Sequence, residues 1–354
     1  MKLAAYIGGL LGLTLLIVLV LHADMPALGR VWHLANAAIL WVVPARIIYF
    51  AGYALGWRAL LGPFNRGKAG FGYILWVTTV REGVDRLLPV ANVGGSVVGV
   101  RLLRWRGLSI VSTSATIITE IVLTLAAVFL LGALGALILL TLSPGATHHT
   151  LIMVLLLSLP VPVIFFLALR YGHIFKRLER FLGPLLGLSG ADAAAKLDAD
   201  LQNCLRRVPT LLCVETLEFL ALASAAFEIW WGLRLFDHPV SVPAAIMLEG
   251  LSQAARHLAF VVPAGLGVQE GALVLFGHAI GISTELSLAI SAVKRTREIL
   301  CGLPPLLSWQ WLEGRHLRRS GTLGDHARTT RGRNHPSRSR TAPGGSDHPE
   351  TDGP

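Results

Sequence analysis

Charge is what this sequence has least of. Asp, Glu, Lys and Arg make up 15% of its 354 residues, against about 25% in an ordinary soluble domain. That scarcity excludes a water-soluble globular fold. Cysteine is also sparse: Cys204, Cys213 and Cys301 are odd in number and lack metal-ligand spacing, so they read as core or interface residues. The motifs of common enzyme sites are missing, with no Walker loop, nucleophile elbow or HExxH. The pair His148–His149 reads as interfacial rather than metal-binding. No catalytic residue, metal or cofactor is assigned, and a non-enzymatic role is expected.

What the chain does have is apolar length. Hydrophobic residues reach 53%, the mean hydropathy is +0.62, and several mostly apolar runs exceed about 18 residues. These properties define an all-α integral membrane protein. The net charge of +10 does not point to nucleic acid, because the basic residues cluster between apolar runs, where they set topology.

The apolar runs predict six transmembrane helices at 4–22, 33–57, within 108–142, 151–169, 210–233 and 284–312. The run from Leu3 to Leu21 exceeds a signal-peptide core of roughly 7–15 residues, so it is expected to stay as a helix. The length of the third run implies tilt, a kink near Gly132/Gly135, or protrusion into water. Two further stretches, 70–100 and 243–282, are interrupted, and in the first neither half reaches the roughly 20 residues needed to span. Both read as re-entrant hairpins. The segment 170–208 is basic, and "RYGHIFKRLERFL" within it is amphipathic, suited to an anionic inner leaflet. Residues 314–354 form an Arg-rich tail expected to be disordered.

Counting Lys and Arg places both ends of the first hairpin inside and both ends of the second outside, with the tail inside. Residues 1–142 and 143–313 then repeat one order, helix–helix–hairpin–helix, in opposite orientation. "LLPVANVGGSVVG" echoes "VVPAGLGVQEGAL", aligning Pro89 with Pro263 and Ser96 with Glu270. Inverted repeats with broken elements at the midplane point to a transport site. Both termini are expected in the cytoplasm of a multi-pass protein of the bacterial inner membrane.

The second break, "FVVPAGLGVQEGALV", carries a carboxylate into an apolar setting. Irregular backbone at membrane depth must be buried by protein or line a watery cavity. Gln269 and Glu270 would lie in the first turn of the helix that follows, where a carboxylate is favoured. Glu270 either caps that helix or faces a polar cavity between the hairpins.

The last helix concentrates four charges in "KRTRE": Lys294, Arg295, Arg297 and Glu298. Each intramembrane charge costs about 2.5–3.5 kcal/mol at a helix centre, so these must pair across the bundle. Glu120, Glu215, Glu218, Glu228 and Glu270 are the available partners. The outcome is either a static salt-bridge network or a basic site for a lipid headgroup or ion, for which the arginine fork suits phosphate. The first break, "REGVDR", adds Glu82, Asp85 and Arg86, and with Asn92 and Arg46 completes the same cavity or solvates a wet vestibule. Glu215 and Glu218 can equally pair with Arg206 or Arg207. The candidate headgroup site is therefore Arg46, Arg86, Asn92, Gln269, Glu270, Lys294, Arg295, Arg297 and Glu298. The counter-charges are Glu82, Asp85, Glu120, Glu215 and Glu218. Trp32, Trp41, Trp57, Trp76, Trp309 and Trp311 mostly fall near predicted helix ends, as interfacial anchors do.

"DRLLPVANVGGSVVGVRLL" and "FVVPAGLGVQEGALVLFG…SAVKRTREILCGLP" resemble the lysylphosphatidylglycerol synthase transmembrane-region family, over about residues 1–315. Within it they resemble most the branch associated with hopanoid biosynthesis. The resemblance implies a helical bundle with re-entrant elements. In the related multiple peptide resistance factor, the corresponding domain is implicated in moving aminoacylated phospholipid between leaflets. No soluble synthase domain follows the last helix here, so aminoacyl transfer is not expected. The family often places an acid after the first Gly-Gly, where this chain has Ser96, leaving Glu270 to act alone. The resemblance implies a flippase or lipid transporter whose partners are membrane lipids, hopanoid-linked or anionic. The alternatives are an integral membrane transferase, or an accessory subunit partnered with lipid-biosynthesis enzymes.

Overall fold

Every regular element seen is an α-helix. A computed structural model of the protein describes residues 25–88, 94–142, 191–259 and 267–333, with single positions 163, 167, 262 and 265. The predicted helices 4–22 and 151–169, the His148–His149 pair, the amphipathic segment at 170–182 and Asn92 lie outside the described residues, apart from helical positions at 163 and 167.

Helix α1 (Met25–Asn65) is longer at both ends than the 33–57 expected, and accommodates Pro44 and Pro63 within it. The Asn65 side chain ends it, accepting from Ala69 N–H and donating to Ala69 O, both at 2.8 Å. The first interrupted stretch forms α2 (Phe71–Leu87) and α3 (Gly94–Trp105), packed against each other. Near the break Asp85 Oδ1 accepts from Gly95 N–H at 2.8 Å, and at the other end Tyr73 O–H donates to Leu102 O at 2.7 Å. These two bonds fix the register of the pair.

Helix α4 (Ile110–Leu142) runs without interruption, so Gly132 and Gly135 do not break it. Their role is packing: a Cβ at Gly132 would lie 2.9 Å from Ala254 Cβ, and one at Gly135 3.0 Å from Met247 O. Small residues at such crossings let backbones approach where lipid removes the hydrophobic drive. After α5 (Ala191–Arg206), the fifth predicted helix is present over Val208–Leu235, divided by a one-residue turn at Ala225 into α6 (Val208–Ser224) and α7 (Ala226–Leu235). Ser224 Oγ donates to Ala221 O at 2.6 Å, the kind of side-chain bond that competes with the helical ladder.

The second interrupted stretch gives α8 (Val242–Leu258) and α9 (Val268–His278). Ser241 caps α8 by accepting from Ala244 N–H, and Gly267, with φ +78°, precedes α9. A positive φ is open to glycine at little steric cost. The last helix, α10 (Thr284–Arg333), passes Pro304 and Pro305 and continues as helix beyond residue 314, where disorder was expected. The polar composition favoured a coil, but extending an existing helix avoids the nucleation cost.

One apolar core joins α4, α7, α8, α9 and α10 through residues such as Leu139, Ile229, Met247, Leu273 and Ile290; another joins α1, α4, α6 and α8. Helix α4 and the α6–α7 pair (Val208–Leu235) are long and apolar enough to cross a bilayer. Residues 308–354 form a separate unit, in which Trp309 Nε1 donates to Glu313 and the Arg315 guanidinium lies 3.6 Å from the Trp311 ring centroid. Trp57 departs from the expected anchoring role. It is fully buried, with Nε1 donating to Thr116 Oγ1 at 3.2 Å.

Candidate functional site

The KRTRE charges of α10 turn inward, onto carboxylates from three other helices and their own. Lys294 pairs with Glu249 of α8, which also accepts from Gln253 Nε2 at 2.8 Å. Arg295 reaches Glu270 of α9 and Glu298, each at 2.9 Å. Arg297 lies 3.1 Å from Glu228 of α7, an ion pair rather than an aligned hydrogen bond. Lys294, Arg297, Glu249 and Glu270 are all buried. Charges this deep are tolerated because each has an opposite charge within reach.

Glu298 is the hub, with Arg86 at 3.3 Å, Arg295 at 2.9 Å and Arg297 at 3.8 Å. Through Arg86 the lattice continues to α2, where Glu82 accepts from Arg86 at 2.9 Å and from Arg46 at 3.3 Å. Arg46 also faces Glu228 at 3.6 Å and stacks on Tyr49, 3.4 Å from the ring centroid. Stacking of this kind offsets part of the desolvation of a buried guanidinium.

Beside this lattice lies a cavity of about 330 Å³ between α1, α2, α3, α4, α6 and α8. Its wall is charged along α2, with Arg81, Glu82, Asp85 and Arg86, and on α8, with Arg256 and His257. The aromatic rings of Tyr49, Phe50 and Tyr53 close it on the α1 side. Arg81 donates to Glu120 at 2.8 Å and sits 4.4 Å from the Trp57 ring centroid. A concave space with an apolar belt and converging polar groups has the character of a ligand site.

The predicted residues therefore divide. Arg86, Glu82, Asp85 and Glu120 line the cavity, and Ser96 joins them. Arg46, Glu270, Lys294, Arg295, Arg297 and Glu298 do not line it. Each of them takes part in an ion pair. Glu270 does not cap its own helix; its Oε1 accepts from Arg295 and from Ser291 at 3.3 Å. Gln269 is buried with neither side-chain polar atom bonded. Glu218 accepts from Thr124 at 2.8 Å, and both Glu215 carboxylate oxygens lack a partner. Neither pairs with Arg206 or Arg207.

Sequence reasoning overlooked α8. "EGLSQAARHL" places Glu249, Gln253, Arg256 and His257 on an apolar segment, the same signal that flagged KRTRE. It was read only as part of an interrupted stretch. Among the described residues no cluster of His, Cys, Asp and Glu is arranged to hold a metal.

A family model described as the lysylphosphatidylglycerol synthase TM region matches residues 6–301. No curated protein matches the chain, and no solved structure does.

Proposed function

The chain belongs to the lysylphosphatidylglycerol synthase TM-region family, and from that premise we propose that it moves or handles a lipid without covalent chemistry. The cavity beside α2 is its polar compartment. In this reading the protein sits in the bacterial inner membrane with both termini in the cytoplasm. Six helices span, while α2/α3 and α8/α9 are re-entrant hairpins of an inverted repeat. The hopanoid association of the branch it resembles makes a hopanoid one candidate cargo and an anionic phospholipid another.

The cavity carries this proposal. A headgroup crossing hydrocarbon needs a polar surface, and Arg81, Asp85, Arg86 and Arg256 supply one; of the three arginines, Arg256 is the one without a carboxylate partner among the described residues. Gly265 and Gly267, both at positive φ, precede α9, and discontinuous helices of this kind support the transporter reading. The lattice around Glu298 holds α2, α7, α9 and α10 together and meets the compartment at Arg86 and Glu82.

Leaflet-resolved scrambling in proteoliposomes tests the proposal, using tagged phosphatidylglycerol, phosphatidylethanolamine and a hopanoid. Wild type should move at least one of them. The double variant Arg81→Gln/Glu120→Gln removes one charge pair from the wall and should slow that movement at least about tenfold while the protein still inserts. A wild-type protein that moves no lipid would sink the transporter reading and leave the accessory-subunit or transferase role in its place.

A further inference from the structure

Three guanidinium groups face the cavity, and two are already neutralised. Arg81 pairs with Glu120, and Arg86 with Glu82 and Glu298. Arg256 is the third. It is 5% exposed, lines the cavity, and has no acceptor for Nε or Nη1. Among the described residues no carboxylate forms an ion pair with it.

The backbone is shaped around this side chain. Gly265 adopts φ +61°, and a Cβ there would lie 2.6 Å from Arg256 Cγ and 3.0 Å from Nε. Any other residue at 265 would strain the backbone and push the guanidinium aside. His257, the next residue of α8, donates from Nδ1 to Gln253 O at 2.9 Å, which leaves Nε2 for another partner. Gly265 thus makes room for an arginine.

A buried cation without a counter-charge is costly, and the cost is relieved when an anion arrives. We propose that Arg256 is the anion contact of the cavity and that its ligand is a phosphate group. The inference rests on the reading of the cavity as the lipid compartment. Guanidinium binds two phosphate oxygens at once through charge-assisted hydrogen bonds. The phosphate belongs either to a phospholipid headgroup or to free phosphate. Cargo selection then depends on α8, outside the arginine cluster of α10.

The test uses the full chain in a maltoside micelle, which carries neither charge nor phosphate. Three probes are titrated: phosphatidylglycerol, diglucosyldiacylglycerol with the same tails, and inorganic phosphate. Bound ligand is read by native mass spectrometry, and each variant's melting curve verifies that it is folded. Arg256→Gln and Gly265→Ala should each weaken phosphatidylglycerol binding about tenfold or more, with Arg256→Lys in between. Binding of the glycolipid should not change. Inorganic phosphate that binds as tightly, with the same dependence on Arg256, supports the subsite and assigns it to free phosphate. Phosphatidylglycerol and the glycolipid binding equally well, both indifferent to Arg256→Gln, would overturn the inference and leave the lipid-compartment reading standing. Should neither lipid bind wild type, that reading fails, and inorganic phosphate decides the inference by itself: Arg256-dependent binding sustains it and no binding overturns it.

Discussion

On the α10 side of the bundle, Lys294, Arg295, Arg297 and Glu298 meet Glu228, Glu249 and Glu270, and each cation finds a carboxylate within 3.1 Å. On the α2 and α8 side the same residue types surround open space. Arg256 there has no carboxylate among the described residues, and Asp85 holds only the Gly95 amide. Both regions bury charge in an apolar bundle, and Arg81 and Arg86 are paired as the α10 cations are; Arg256 is what separates them. A buried cation held by a carboxylate serves the fold, whereas one left unpaired beside a cavity retains binding capacity.

The largest effect should follow from Glu298→Gln. Losing the hub leaves Arg86, Arg295 and Arg297 short of a counter-charge, and breaking a buried pair costs about 3–5 kcal/mol. Chemical unfolding in mixed micelles would measure it, and a loss under about 1 kcal/mol would mean that the lattice is wet and not structural. A middle effect is expected at the contact between Gly83 of α2 and Gly302 of α10, which brings the two regions together. A Cβ at 83 would sit 2.8 Å from Gly302 O, so Gly83→Ala should cost about 1–3 kcal/mol by the same assay. It should also reduce lipid movement, because α2 carries the cavity wall. The smallest effect on stability should come from Arg256→Gln. Removing a charge with no partner should leave the melting temperature unchanged or raise it. Destabilisation equal to that of Glu298→Gln would abolish the distinction between the two regions.

Composition and periodicity made much of the helical plan legible. α4 appears where the third long apolar run lies, and both interrupted stretches become paired shorter helices. The division of α6 from α7 was hidden, because Ala225 is neither glycine nor proline. The inward turn of KRTRE was legible from the price of exposing four charges to lipid. Its partners were only partly so: Glu228 and Glu270 were foreseen, and Glu249 was missed. Arg86, Glu82, Asp85 and Glu120 were recognised as candidates, while Arg256, His257 and the tyrosines of α1 were not. A lone arginine beside a histidine on an amphipathic stretch resembles an interfacial anchor until its surroundings are known.

By itself, the sequence determined that this chain is helical, that it belongs in a membrane, and that its charges must find one another. Those outcomes follow from the cost of exposing apolar surface to water and charge to lipid, which every residue carries wherever it sits. Which charge meets which was decided only by tertiary structure, because ion pairing depends on distances of a few ångströms between helices far apart in the chain. The same geometry sets the α10 cations against Glu228, Glu249 and Glu270 and leaves Arg256, packed against Gly265, without a carboxylate partner among the described residues.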